Sequence, residues 1–235
     1  MDAALRMVLR TDARNAVRDR TIGAFAVVPF IFVALLRVGY PLLEDELPAA
    51  ADHRAILLSV FCVIAATFPA FMLSTIALDE KDQHLTDVMR VLPVPPQRSL
   101  ALRAAVAAAL GFVSAAVVLF GSGLAEQSPA AGLVRCALCG LTGPAALLAA
   151  VSLAANKIEG LALFKGIFLV AAVACGAGAA QSAWRHVLAV VPVYWTARAF
   201  EATDALTLAW TAVVSVLAHA ALVAIVVRRA GLATR

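Results

Sequence analysis

Residues 55–78 hold no charged side chain. As an α-helix rising about 1.5 Å per residue they would reach about 36 Å, enough to cross a hydrocarbon core of roughly 30 Å with some tilt. Such a run dictates a membrane setting, because lipid offers backbone N–H and C=O groups no partner and only helices or closed barrels satisfy them internally. Apolar runs with at most one charged residue recur near residues 21–40, 104–120, 132–155, 166–183 and 205–227. Of the 235 residues 63% are hydrophobic and 14% charged, where soluble domains carry about 25% charge. The chain therefore reads as an all-α integral membrane protein with six transmembrane helices in one domain over residues 1–235.

The segments between the runs set the orientation. Arg6, Arg10, Arg14 and Arg18 stack along one side of a helix opposite Leu5, Val8, Leu9 and Ala16, which predicts an interfacial helix over residues 1–20. Asp12 and Asp19 intrude on its apolar side and predict shallow embedding. Arg37 and Tyr40 suit the headgroup level. Residues 41–53 carry Glu44, Asp45, Glu46 and Asp52 without Lys or Arg, the mark of an outer loop. Pro69 in span two and Gly143-Pro144 in span four are expected to bend their helices. Residues 184–204 mix Trp184, Arg185, His186, Tyr194, Trp195, Arg198, Glu201 and Asp204, an interfacial composition that predicts an outer re-entrant element between spans five and six. With both termini in the cytoplasm, most of the 19 basic residues fall on the inner side.

The longest charged segment between two spans, residues 77–103, contains a short two-faced helix. At about 100° per residue, Leu85, Val88, Met89 and Leu92 share one arc, while Gln83, Thr86, Asp87 and Arg90 fall opposite. Pro93, Pro95 and Pro96 then stop it, since proline lacks the N–H a continuing helix needs.

The run Glu80, Lys81, Asp82, Leu85, Val88, Leu92, Pro93, Val94 resembles the first cytoplasmic loop of type 2 ATP-binding-cassette (ABC) exporter permeases. Residues Asn156 to Ala162 are similar to that family's second cytoplasmic loop, and Val191-Pro192-Val193-Tyr194-Trp195 to its outer segment. The resemblance implies a drug-export permease subunit in a bacterial plasma membrane. It implies a coupling helix that docks on a separate ATPase subunit, which binds ATP and Mg, and a second permease chain, identical or not. The residues it assigns to coupling are Glu80, Lys81, Asp82, Leu85, Asp87, Val88, Met89, Arg90, Asn156, Lys157 and Glu159.

No residue pattern supports catalysis, a bound cofactor or a metal. Lys81, Lys157 and Lys165 are each followed by a residue other than Ser or Thr, so a phosphate-cradling loop cannot be built. None of the four histidines precedes Glu, which excludes the zinc-protease helix motif. Cys62, Cys136, Cys139 and Cys175 lie in apolar runs and are read as small hydrophobes, the Cys136-x-x-Cys139 pair included. Nucleic acid is not an expected partner; membrane lipid is. His219 falls roughly 13 Å before Arg228 along a helix, deep enough that an ionisable group is ordinarily buried against other helices, and it is the one pathway candidate. The competing reading is a membrane-embedded enzyme or scaffold without ATP-driven transport, which would want several ionisable groups converging at mid-depth.

Overall fold

A computed structural model describes residues 3–18, 23, 25–83, 96–125, 128–179 and 183–229. Among these every regular element is helical and no strand occurs. Five stretches are long and apolar enough to cross a bilayer: Pro48–Asp82, Gln97–Gly121, Pro129–Leu153, Lys157–Ala179 and Ala205–Arg229. The chain is a multi-pass membrane protein.

In chain order, α1 is Ala3–Arg18, α2 Val28–Ala34, α3 Tyr40–Glu46, α4 Arg54–Asp82 and α5 Pro96–Gly121. The remaining helices are α6 Pro129–Gly140, α7 Thr142–Leu153, α8 Lys157–Gly176, α9 Pro192–Glu201 and α10 Ala205–Arg229. The first apolar run departs from a single regular span. A π-turn over Leu35–Gly39 joins α2 to α3, and the helix runs on through the segment expected to be an outer loop. Pro41 lies in the first turn of α3 and has no N–H to give the preceding turn, so the ladder widens where that bond is missing. Tyr40 is buried within the protein: its hydroxyl donates to Ala50 O at 3.2 Å and accepts from Arg54 Nε at 3.4 Å.

Span two continues as one helix through Pro69. Span four breaks at Leu141, between α6 and α7, and Pro144 stands in the first turn of α7. Beyond α8, residues Ala183–Val190 form a 3-10 helix and α9 adds ten residues, about 15 Å, which is short of a crossing. The last helix is capped at its N-terminal end by Asp204. That carboxylate accepts from the Thr207 hydroxyl at 2.6 Å and the Thr207 N–H at 2.8 Å, and these bonds hold it below its ordinary pKa.

The core sits around α4, which packs on α5, α7 and α8. One half is aromatic: Phe71 stacks edge-on to Phe25 and Phe164, with centroids 5.0 and 5.1 Å apart, and Phe68 lies 4.9 Å from Phe168. The other half gathers Cys62, Cys136, Cys139 and Cys175 with Leu58, Val63 and Val118, all buried, so the thiols serve as small packing groups. In lipid, where water drives no helix together, close approach of backbones does the work. A Cβ at Gly111 would come 2.7 Å from Ala66 O, and one at Gly140 2.8 Å from Ala108 O. These oxygens belong to helix backbones and cannot swing aside. Gly111→Leu is accordingly expected to force α4 and α5 apart and abolish recovery of folded, monodisperse protein in detergent, which size-exclusion chromatography would report.

Candidate functional site

Two polar clusters close one end of the bundle, both fed by the last turn of α4. In the first, the Arg103 guanidinium on α5 is gripped by two carboxylates. Its Nε and Nη2 donate to the two oxygens of Asp12 at 2.8 Å each, and its Nη1 and Nη2 donate to Glu80 at 2.7 and 2.6 Å. Arg103 and Asp12 are buried, and Glu80 is 18% exposed at its side chain. The planar fork of arginine suits bidentate pairing on two edges. The triad ties α1 to α4 and α5, the helices on either side of residues 84–95.

The second cluster joins the two predicted inner loops. Lys81 Nζ donates to Ala154 O at 2.8 Å, meeting an orphan carbonyl at the C-terminus of α7. Asp82 accepts from the Lys157 N–H at 3.0 Å and so places a carboxylate at the N-terminus of α8. Asn156 caps α8 by accepting from Glu159 N at 2.9 Å, while the Glu159 carboxylate accepts from Ala155 N at 2.8 Å, a reciprocal arrangement of the capping-box kind. Lys157 Nζ lies 3.4 Å from Asp79 on a half-exposed surface, where an ion pair contributes little.

Of the residues expected to couple to a partner, Glu80, Lys81, Asp82, Asn156, Lys157 and Glu159 thus meet at one end of the molecule, whereas Leu85, Asp87, Val88, Met89 and Arg90 lie outside the described residues. Glu80 turns inward to Arg103 rather than standing at an exposed rim. Sequence reasoning did not anticipate the triad, although Asp12 on the apolar side of α1 was its trace: a carboxylate there needs a buried cation. It also passed over Arg135 on α6. That side chain is buried, donates to Ala199 O at 2.8 Å and Ala202 O at 3.0 Å, and lies 5.9 Å from the Phe200 ring, fastening the C-terminus of α9.

His219 is 3% exposed on α10. Its Nδ1 lies 2.8 Å from Ser215 O, and because a carbonyl only accepts, Nδ1 carries a proton; in the neutral ring Nε2 is then an acceptor. Nε2 has no partner among the described residues. The ring borders a cavity of about 410 Å³ between α4, α7, α8, α9 and α10, and the described residues lining it are apolar apart from His219, Thr67 and Thr142.

Residues 12–227 match the Rv2686c-like family, whose description is fluoroquinolones export permease protein Rv2686c-like. The chain belongs to this family. The permease is 27% identical over 199 residues to "Fluoroquinolones export permease protein Rv2686c" of Mycobacterium tuberculosis strain H37Rv, covering 81% of its own length and 79% of the relative's. It matches protein MT2760 of strain CDC 1551, of the same description, with the same identity and coverage. No solved structure matches the permease.

Proposed function

We propose that this permease is the membrane-spanning subunit of an ATP-driven exporter, that a separate ABC ATPase binding ATP and Mg powers it, and that its substrates are fluoroquinolone-like drugs. The substrate class comes from the relatives' names, which are those of fluoroquinolone export permeases. The reading of ATP coupling rests on one observation above the rest: the residues flanking the charged 84–95 segment are bonded to the second inner loop and to α1. A surface made of two loops braced in this way suits the transfer of motion from a docked ATPase into the helices. In the segment itself, Leu85, Val88 and Met89 would be the anchors in a groove of the partner, with Asp87 and Arg90 at the rim. Two copies, or this chain and a related one, would enclose the pathway, and the 21–46 stretch would complete a sixth span with both termini in the cytoplasm of a bacterial cell. The outer 183–201 segment would dip into the bilayer and return.

Two experiments test these points. A tagged chain purified with its native membrane partners is expected to bring down an ATP-hydrolysing chain, and inverted vesicles containing both are expected to accumulate a fluoroquinolone only when ATP is supplied. Accumulation without ATP and without any such partner would refute the proposal. For orientation, a cysteine at Asp45 in a cysteine-free background is expected to react with an impermeant thiol reagent added to whole cells and one at Lys157 is not. The opposite labelling would overturn the assignment of sides.

A further inference from the structure

From the cavity beside His219 we infer a binding site for a neutral, largely apolar molecule of drug size that carries a hydrogen-bond donor. The inference rests on the exporter reading for its purpose, while the site itself stands on the geometry. About 410 Å³ falls within the range of small-molecule pockets, roughly 300–1,000 Å³. None of the described residues lining it is Asp, Glu, Lys or Arg, so a charged ligand would be buried without a counter-ion among them. Its few polar groups all offer the same thing. Thr67 and Thr142 each spend their single hydroxyl hydrogen on a backbone carbonyl, Val63 O and Cys139 O, at 2.7 Å. Their oxygens stand 3.3 Å apart with lone pairs left over. His219 Nε2 is a buried acceptor with no partner among the described residues. Three side-chain acceptors and no free side-chain donor among the described residues of the lining select a ligand that donates. A lipid acyl chain would fill the volume and leave every acceptor unsatisfied, at the penalty that buried polar groups carry without a hydrogen bond.

Gly166 and Val170, exposed on α8, form part of the cavity wall. A Cβ at Gly166 would meet nothing within 4 Å, so a larger side chain can enter the space without displacing the fold. The test uses the full chain in lipid nanodiscs and N-phenyl-1-naphthylamine, a neutral probe with one N–H, read by energy transfer from the protein's tryptophans. Saturable binding is expected, weakened at least about tenfold in Gly166→Leu and in His219→Phe, and unchanged in Leu169→Ala on the exposed side of α8. A naphthalene analogue lacking the N–H should bind wild type about tenfold less well and lose nothing in His219→Phe. 8-Anilinonaphthalene-1-sulfonate, the same skeleton with an anionic group, should bind at least about tenfold more weakly. Wild-type affinity in Gly166→Leu, equal affinity for the analogue without the donor, or displacement of the probe by added phosphatidylglycerol would overturn the site, the last by showing an acyl-chain pocket. Because binding is read without ATP, failure of ATP-driven export with probe binding intact would count against the exporter reading alone.

Discussion

Arg103→Met should lower the unfolding free energy of the purified chain by about 3–5 kcal/mol, the range for removing one partner of a buried ion pair. The native arrangement places one guanidinium between Asp12 and Glu80 with little contact to solvent. Taking it away leaves two carboxylates facing each other, and methionine supplies volume but no donor. The reverse deletions should be milder, because with two carboxylates on one cation either can be neutralised while the other still pairs. Asp12→Asn and Glu80→Gln are therefore each expected to lose less than Arg103→Met. Arg103→Lys should recover only part of the stability, since a point-like ammonium cannot make four directed bonds to two carboxylates. Denaturation in a fixed detergent, monitored for all four variants, checks the order. Arg103→Met as stable as wild type would show that the triad carries no net energy.

Arg135→Leu should be the second large loss, about 3 kcal/mol or more, from two charge-assisted hydrogen bonds at about 1.5–3 kcal/mol each. Ala199 and Ala202, whose carbonyls receive the guanidinium, are buried. Leucine would pack in the space yet leave those oxygens without these donors at the end of α9. The damage should be local: α9 and the Ala183–Val190 segment should gain hydrogen-exchange rate while α4 and α5 keep their protection. Arg135→Lys is expected to fall between the two, because one ammonium can reach one carbonyl well but lacks the fork that serves both.

The helical class and the membrane setting were legible because hydropathy and length are properties of contiguous residues. Residues 55–78 needed no partner to be read as a span, and the structure carries them inside α4. Family membership was legible in three short motifs that occur in order along the chain. The polar tertiary bonds were not. Asp12 and Arg103 stand far apart in sequence, and nothing local to Arg103 distinguishes a buried partner from one more basic residue at the end of a span. Nothing local to Thr67 or Thr142 marks them as a pair; packing brings their hydroxyl oxygens within 3.3 Å. The first apolar run shows a different limit. Its charge pattern gave a plain span, but Pro41 acts through a missing N–H and lets the helix pass through a π-turn into the expected loop. His219 was singled out by depth alone; the acceptor state of its Nε2 depends on the bond its other nitrogen makes to Ser215.

Coupling of this chain to an ATPase through its first inner loop is tested most directly by Val88→Asp. An aspartate on the apolar arc would be buried unpaired in a partner's groove, whereas Asp87→Ala changes a rim position and should have little effect. The measurement is ATP-dependent transport in inverted vesicles, alongside the quantity of ATPase retained by the purified chain. Val88→Asp is predicted to reduce transport to the level seen without ATP, with the ATPase released or its hydrolysis uncoupled and the membrane helices intact by circular dichroism. Wild-type transport and wild-type ATPase retention in Val88→Asp would contradict the coupling role.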